Sequence, residues 1–558
     1  MISKLKRLPP GVITVLLINL IIVTFWLVNN RAFPVHDFTA GARVFELHQA
    51  ILDGHFPPRW SKNFGFGMGM PLFQFYAPLA FYVAEIFHLI GFSILTSLKL
   101  SYFLATLIGF WGSYLLGKKL TNDKGGLIAA TAFTLAPYHA VNLYVRGALA
   151  EYWAISLMPA SIYFLFNLLQ KFSLKAYLGL TLSLAAIFLS HNVTTVTFMP
   201  FWLATFFGLF VLKRHLKSAF TVMLSFIHSL LIASFFLLPA FLQKASTRVE
   251  SITHGFSQFQ LHFIYLRQLI TPNWGYGGSV LGIEDDMSFY LGREIILLAG
   301  LGLISLLLLT FKKPTKAKIN QFLTVGLLTA LFLLAILAAS FRSHILWLKI
   351  PLAKFIQFPW RFLGPASFFL ALLTGFSMLN KQIRKYFYLI LALLLIVNGY
   401  YFRPEKLIPP GELYNLNSQY IQSYMSTTLP DYLPPNVDWG ELSPPSQLIT
   451  TDPQSENIII HQDTTDTVTA TINSTSSASL ILNRFAFPNW QLTINDDPTV
   501  CHISSDFLYQ CRLQAGNNQL QLTWSEKGIN AISNTISLSA LFALGLILLK
   551  PKLKPKSS

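Results

Sequence analysis

A short polar segment near the N-terminus carries the residue best placed to do chemistry. Residues 34–43 read PVHDFTAGAR, so His36 and Asp37 follow closely after an apolar run at 11–28. An apolar run of that length is typical of a membrane span, which puts Asp37 at the membrane boundary. A carboxylate there can act as a base on a substrate that arrives from the lipid. The alternative is that Asp37 or Thr39 caps a helix that extends through Asp53.

The composition is that of a membrane protein. Of the 558 residues, 53% are hydrophobic and 12% are charged, and the mean hydropathy is +0.51. Only lipid can solvate so much apolar chain, which excludes a soluble enzyme. The net charge of +17 would suggest a nucleic-acid partner in a soluble chain. Here the Lys and Arg residues lie in short loops, so we expect the lipid bilayer and no nucleic acid as partner.

The basic loops predict a topology. Clusters of Lys and Arg occur near 118–124, 171–175, 213–217, 312–318, 381–385 and 550–556, each separated from the next by two apolar segments. Cytoplasmic loops are enriched in Lys and Arg, so both termini are expected in the cytoplasm. The apolar segment 71–92 must then be re-entrant or interfacial, because a crossing there would put Lys118 and Lys119 outside. No small-residue cleavage site follows the first helix, so we expect it to stay attached.

This topology contains about 12 transmembrane helices in a polytopic α-helical membrane protein. The predicted spans are residues 11–29, 98–117, 124–145, 152–170, 176–190, 194–212, 218–241, 293–311, 320–341, 362–380, 386–402 and 529–549.

Two predicted outer regions are too long to be simple turns. The first is the loop at 30–97, which carries His36 and Asp37, and the second is residues 404–528. The second starts Pro-rich and continues with short runs of period two, which predict a small extracytoplasmic β-sandwich. The predicted domains are a transmembrane core at 1–403, the β-sandwich at 404–528, and a final helix with a basic cytoplasmic tail at 529–558.

Both cysteines, Cys501 and Cys511, lie in the predicted β domain. Nine intervening residues allow two neighbouring strands to face each other, so a hairpin disulfide is expected in an oxidising compartment. Two free thiols are the alternative. Metal binding by these cysteines is disfavoured, because no second pair of Cys or His ligands lies at finger spacing.

Cations at the outer end of the predicted ninth and tenth spans indicate an anionic partner. Lys349, Lys354 and Arg361 lie where the positive-inside bias disfavours cations. An anionic lipid phosphate is the partner that this cluster suggests, and Arg361 is best suited to a two-pronged grip. The alternative is that these side chains extend to ordinary headgroups.

Two predicted outer turns carry polar pairs with two interpretations each. Arg146 and Glu151 flank the turn between the third and fourth spans. They form either a buried ion pair with each other or a contact to a bound substrate, namely an acceptor molecule or a diphosphate. His191 and Asn192 lie in the turn between the fifth and sixth spans, and either satisfy free backbone groups or belong to a site.

A divalent metal is a weaker hypothesis for the outer loop after the seventh span. Asp285 and Asp286 follow Glu284 there and can hold such an ion together with Asp37. No spacing rule supports that arrangement, and we predict no other cofactor.

Several of these segments resemble known membrane families. Asp37 in the first outer loop, the helix after it, and a many-helix core with a terminal soluble domain resemble the GT-C superfamily of polyprenyl-phosphate-sugar glycosyltransferases. Further segments are similar to the bacterial membrane family labelled 6-pyruvoyl-tetrahydropterin synthase-related. These are residues 34–37, 65–76, 146–151, 190–192, 357–362 and 487–490.

The resemblance implies a GT-C-like fold and an inverting glycosyltransferase. The first-loop acidic residue of that superfamily acts as base or orients the acceptor, and Asp37 is the residue at the matching position. His36 is a neighbouring substrate-binding candidate. The implied partners are a polyprenyl-phosphate-linked sugar and an acceptor in the cell envelope, which is a glycan, a lipid or a protein.

The sequence also allows two other functional classes. A transporter or flippase for lipid-linked polymers places ionisable groups near the bilayer midplane, often in repeated halves. The charges singled out above lie instead at the predicted outer surface. A non-catalytic scaffold that binds envelope glycan through the β domain is the other possibility, because a sequence does not show turnover.

Overall fold

The chain folds into a mostly helical structure with a β domain near its C-terminus. A computed structural model describes residues 10–213, 216–249, 253–312, 315–414, 416–453 and 457–549. Two compact units form. The first contains residues up to Phe38, Leu95–Leu230 and Thr253–Leu413; the second contains Thr39–Ile94, the segment that starts at Leu231 and ends before Thr253, and the chain from Tyr414 onward.

The longer helices are numbered in chain order. They are α1 (Pro10–Thr24), α2 (Ala40–Leu52), α3 (Leu79–Leu89), α4 (Ile94–Leu120), α5 (Asp123–Thr134), α6 (Leu149–Gln170), α7 (Leu174–Ser190), α8 (Asn192–Lys213), α9 (Leu216–Leu242), α10 (Arg293–Lys312), α11 (Lys316–Ala339), α12 (Leu363–Gly375), α13 (Phe387–Gly399) and α14 (Ile529–Leu549).

Short helical turns lie between them. The α-helical ones are Leu72–Phe75, Pro137–Ala140, His344–Lys349, Lys381–Arg384, Pro410–Leu413 and Ser418–Ser423. Those with 3₁₀ geometry include Phe341–Ser343, Pro351–Ile356, Pro359–Phe362 and Phe376–Leu379.

Eight helical segments in the described ranges are long and apolar enough to cross a membrane. They are Ile94–Leu120, Leu149–Gln170, Asn192–Leu212, Leu216–Leu242, Arg293–Phe311, Lys318–Ala339, Pro359–Leu379 and Ile529–Leu549. Each coincides with one of the spans predicted from the sequence, which confirms a multi-pass helical membrane protein. Shorter apolar helices occupy the predicted spans at 11–29, 176–190 and 386–402, and the total of twelve crossings stays a prediction.

The predicted span at 124–145 is not one continuous helix. Helix α5 ends at Thr134, and the chain continues through the short helix Pro137–Ala140 into a π-helical turn at Val141–Val145. Pro137 explains the break, because a proline lacks the amide hydrogen and pushes the preceding residue out of helical geometry. Ala136 has ψ 134°, as that restriction requires.

The segment predicted to be re-entrant contains α3, a helix of 11 residues. At a rise of about 1.5 Å per residue it extends about 16 Å, roughly half of a 30 Å hydrocarbon core. Length alone therefore keeps this helix from spanning the membrane.

The β domain is the predicted sandwich of two antiparallel sheets. Strands β1 (Ile449–Asp452), β4 (Ala478–Phe485), β7 (Leu508–Leu513) and β6 (Cys501–Ile503) form one sheet in that spatial order. Strands β2 (Asn457–Asp463), β3 (Thr467–Ser474), β8 (Gly516–Trp524) and β5 (Trp490–Ile494) form the other. The inward residues of both sheets share one hydrophobic core. The turn after β5 has positive φ at Asn495 and Asp496, a conformation that these residue types tolerate.

The second unit joins the first-loop residues to this sandwich. Trp60, Phe66, Met68 and Phe75 belong to the same core as the inward strand residues. The amide of Phe485 on β4 donates to the carbonyl of Met68 at 2.9 Å. Trp490 and Tyr509 lie in this core, only 6% and 7% exposed, which excludes them as open sugar-stacking platforms.

Candidate functional site

The backbone of the PVHD segment is held by the turn that follows the π-helical residues. The amide of His36 donates to the carbonyl of Val145 at 3.1 Å, and the amide of Asp37 donates to the carbonyl of Arg146 at 2.8 Å. Gly147, at φ +65°, lets this contact form, because a Cβ there would lie 2.6 Å from Cγ2 of Val35. Asp37 is thereby fixed beside Arg146, with its carboxylate partly exposed.

His36 is held through its imidazole as well. Its Nε2 lies 2.9 Å from the carbonyl oxygen of Tyr276, so this nitrogen carries the proton and donates. Burial lowers the pKa of His36, and the carbonyl of Tyr276 offsets part of that effect. His36 therefore acts here as a hydrogen-bond donor to Tyr276.

Glu151 is the centre of a buried charged cluster, 1% exposed at the start of α6. Its Oε2 accepts from Nη1 of Arg146 at 2.9 Å and lies 3.5 Å from Nε of Arg361, and its Oε1 accepts from the hydroxyl of Tyr138 at 2.6 Å. The side chain of Asn142 also accepts from Arg146. Two guanidinium groups and one carboxylate carry a net charge of +1.

Aromatic rings support both guanidinium groups. Arg146 lies 4.5 Å from the ring centre of Trp360, and Arg361 lies 4.9 Å from that of Phe358 and 5.9 Å from that of Trp360. Nη1 of Arg361 donates to the carbonyl of Ile356 at 2.9 Å and to the side-chain oxygen of Gln357 at 3.0 Å. These contacts restrain the planar groups, so their charge is held in place.

His191 lies close to this cluster and to Asp37. It lies in the turn between α7 and α8, where its Nδ1 contacts the hydroxyl of Thr194 at 2.8 Å. It is also within electrostatic range of Glu151, Arg361, Arg146 and Asp37. The fold therefore brings together most of the residues singled out from the sequence, which come from four separate segments of the first unit.

Other predicted residues have different surroundings. Lys354 is exposed, with Nζ 5.1 Å from the ring centre of Phe355, and Lys349 and Asn192 are also exposed. Of the two interpretations of Arg146 and Glu151, both of which involved a charged contact, the buried ion pair is present.

Asp285 has a structural use in its loop. Its Oδ2 accepts from Nε2 of Gln268 at 2.6 Å and its Oδ1 accepts from the amide of Val280 at 2.8 Å. Burial raises the pKa of this carboxyl group, and the Val280 amide lowers it in part. No group of three or more His, Cys, Asp or Glu suited to a metal ion occurs among the residues that the structure describes.

Two further predictions concern the cap of α2 and the pairing of the two cysteines. Thr39 occupies the N-cap position of α2, and its side chain makes no capping hydrogen bond to that helix. Cys501 on β6 and Cys511 on β7 are cross-strand partners, and their sulfurs are 2.07 Å apart in a disulfide bond.

Tyr138, Trp360 and Asn142 complete the cluster and were not singled out from the sequence. Trp360 lies inside the segment 357–362 that carried the family resemblance, so its motif was visible while its role was not. Tyr138 and Asn142 are polar residues inside an apolar run. Polar side chains in such runs commonly mark functional positions, and that signal was available for both.

The fold and the cluster define a multi-pass membrane protein with buried charges at one end of its helices. The family model described as 6-pyruvoyl-tetrahydropterin synthase related domain, a membrane protein, matches residues 73–403. The chain belongs to this family. An uncharacterized protein of Lactococcus lactis subsp. cremoris (strain MG1363) is 29% identical over 235 residues, which cover 40% of this chain and 38% of that protein.

Solved structures give weaker likenesses. Arabinofuranosyltransferase AftD from Mycobacteria aligns with a TM-score of 0.45 at 16% identity, over 71% of this chain and 27% of its own. The Archaeoglobus fulgidus oligosaccharyltransferase aligns with a TM-score of 0.41 at 11% identity, over 70% of this chain and 55% of its own. ArnT from Cupriavidus metallidurans, bound to undecaprenyl phosphate, aligns with a TM-score of 0.36 at 13% identity, over 66% of this chain and 60% of its own.

Proposed function

We propose that this protein is a membrane glycosyltransferase that moves a sugar from a polyprenyl-phosphate donor to an acceptor outside the cytoplasm. The observation that carries the proposal is the position of Asp37. A partly exposed carboxylate is fixed through its own backbone to Arg146, which is itself one of two buried guanidinium groups. A base for the acceptor and positive charge for a phosphate thus come from one site.

In the proposed reaction, the carboxylate of Asp37 takes the proton from an acceptor hydroxyl. The acceptor oxygen attacks the anomeric carbon of the sugar, and the bond from that carbon to the phosphate oxygen breaks. The polyprenyl phosphate leaves with the bonding electrons from the opposite face, so the configuration at the anomeric carbon inverts. Phosphate is a good leaving group and needs no strong acid.

The charged cluster supplies what such a leaving group requires. Negative charge develops on the phosphate as the bond breaks, and restrained cations near that charge lower the barrier without having to reorganise. Arg361 is the leading candidate for holding the donor phosphate, and Arg146 adds to the positive potential. Glu151 holds both groups in position through its contacts with Arg146 and Arg361.

The first test replaces the carboxylate of Asp37. In Asp37→Asn the side chain keeps its shape and loses the base, so turnover should fall by roughly a hundredfold to ten-thousandfold. The assay follows polyprenyl phosphate released by the purified protein from a panel of labelled polyprenyl-phosphate sugars, with an envelope extract as acceptor. Asp506→Asn, at an exposed carboxylate of the β domain, is the matched control. A parental rate in Asp37→Asn would end the assignment.

The second test addresses Arg361. Arg361→Lys keeps the charge and loses the planar fork, so the KM for the donor should rise more than kcat falls. Arg342→Lys, at an exposed arginine, is the control for the chemical change. An unchanged donor KM in a folded Arg361→Lys protein would leave Arg361 with a structural role only.

A further inference from the structure

The outer face of one sheet of the β-sandwich has an unusual composition. Every outward position of β3, β5 and β8, three of the four strands of this sheet, is Thr, Asn or Gln, while most of the alternate positions are buried in the core. The centre of this surface, here called the neutral face, consists of Thr469, Thr471, Gln491, Thr493, Gln519 and Gln521. Soluble surfaces usually carry about a quarter or more of charged residues, and these outward positions carry none.

Strand register arranges the neutral face as a lattice. Thr469, Gln521 and Thr493 are direct neighbours across three strands, and Thr471 and Gln519 form the next row. Neighbouring strands are about 4.8 Å apart, and side chains on one face repeat about every 6.6 Å along a strand. Hydrogen-bonding groups therefore recur in both directions at distances comparable to one sugar ring.

Part of the lattice is already ordered. The hydroxyl of Thr471 donates to the side-chain oxygen of Gln519 at 2.9 Å, and Nε2 of His461 lies 2.7 Å from the same hydroxyl. Since that hydroxyl gives its proton to Gln519, His461 donates to it. The side-chain oxygen of Gln519 is thereby engaged within the face. Ordered side chains lose less entropy when they bind.

The charge of the surrounding domain narrows the choice of partner. Residues 404–528 contain 13 acidic and four basic side chains, although the whole chain is strongly basic. An acidic domain repels anionic polymers, and a face without cations offers them no compensation. The same positions offer no apolar side chain to a lipid surface. The surroundings differ: Ile459 of β2, beside Thr471 in the same sheet, is 47% exposed, and Arg512 and Ile481 lie on the outer side of the other sheet.

We propose that the neutral face binds an uncharged, hydroxyl-rich glycan chain. Amide and hydroxyl groups match sugar hydroxyls as both donors and acceptors. Since no aromatic ring stacks on the sugars, each contact is weak and affinity grows with the number of sugars bound. The further statement that the bound glycan is the acceptor rests on the proposed function; the binding itself does not.

The experiment uses the full chain in lipid nanodiscs, with no donor present. The protein is applied to an array of neutral and anionic glycans and then titrated with cello- and malto-oligosaccharides of graded length. We expect neutral glycans to be retained and longer chains to bind more tightly. Gln519→Ala with Gln521→Ala should weaken binding about tenfold, since each change removes one or two hydrogen bonds. Gln510→Ala, outward on the other sheet, is the matched control and should not change it.

Three results would overturn the inference. They are no binding of any neutral glycan, tighter binding of anionic glycans, and equal binding by the double variant and the parental protein. Thermal unfolding of each variant shows whether the fold is kept. Because no turnover is measured, a failure here leaves the Asp37 test unaffected, and a failure of the Asp37 test leaves glycan binding unaffected.

Discussion

At the scale of single residues, the charged cluster depends on Glu151. This carboxylate is the shared partner of Arg146, Arg361 and Tyr138, and it is almost completely buried. An ion pair away from water is costly to desolvate, so the loss of one member leaves uncompensated charge. Glu151 therefore has a structural effect that is separable from chemistry at Asp37.

Glu151→Gln should lower the free energy of unfolding by about 3–5 kcal/mol, because two buried guanidinium groups lose their counterion. The measurement is denaturant unfolding of the purified protein. Asp123→Asn breaks the exposed pair with Lys118 and should cost less than about 1 kcal/mol. Equal effects of the two substitutions would show that the cluster is solvated and not buried.

His55 is a second buried titratable residue, located in the second unit. It is 4% exposed, and neither imidazole nitrogen has a hydrogen-bond partner among the described residues. Burial lowers the pKa of His55 to about 4; Asp466, Glu526 and Asp53 oppose that shift, and Arg59 adds to it. The ordinary histidine pKa is about 6.5. The unfolded chain thus takes up a proton at a pH where folded His55 stays neutral.

Stability from His55 should be complete above about pH 6.5 and should fall as the pH drops toward 4. The expected loss is about 3 kcal/mol at pH 4, because the unfolded state alone binds the proton over most of that range. The readout is the fluorescence of Trp60, Trp490 and Trp524, which pack together near His55. His55→Asn should unfold with a weaker pH dependence. The same pH dependence in both proteins would contradict the assignment.

At the scale of elements, the interruption after α5 produces the site. A continuous helix would satisfy its backbone groups with its own hydrogen bonds. The end of the π-helical turn instead leaves the carbonyls of Val145 and Arg146 to accept from the amides of His36 and Asp37. π-Helical turns often occur at functional positions. Gly147 completes the turn, because Val35 packs where a side chain would be.

Gly147→Ala should reduce transfer activity at least about tenfold, since the new methyl group displaces Val35 and with it the neighbouring Asp37. Activity and thermal unfolding are measured together. Gly54→Ala is the control, because Gly54 also has positive φ, at +85°, with nothing within 4 Å of a new Cβ. Gly54→Ala introduces only the backbone strain, about 1–2 kcal/mol, without a steric clash, and should keep activity. Full activity in Gly147→Ala would show that Asp37 tolerates displacement.

At the scale of the whole molecule, the prediction concerns orientation. The basic loops predict that Lys118 and Lys119 are cytoplasmic, and α3 is too short to add a crossing before them. A cysteine at position 118 should react with a membrane-impermeant reagent only after permeabilisation, because the native cysteines are paired. A cysteine in place of Asp506, in the β domain, should react from outside the cell without permeabilisation. Labelling of position 118 in intact cells would reverse the predicted topology.

The sequence alone determined the class of protein, the positions of the long helices and the β-sandwich. Each depends on a local pattern. An apolar run as long as the bilayer is thick predicts a span, and a period of two predicts a strand because successive side chains of a strand point to opposite faces. The apolar run at 11–28 also pointed to Asp37 as a residue at the membrane boundary. These features need no knowledge of distant contacts.

Only the tertiary structure decided what the candidate residues contact. Glu151 holds Arg361, which is 210 positions away in the sequence, and Tyr138 and Trp360 also join this cluster. The break at Pro137 lies inside a run whose composition alone was read as one span. The residues of the first loop from Thr39 onward share a core with the β-sandwich, far along the chain. Contacts of this kind depend on complementary shape and buried charge, which a local pattern does not contain.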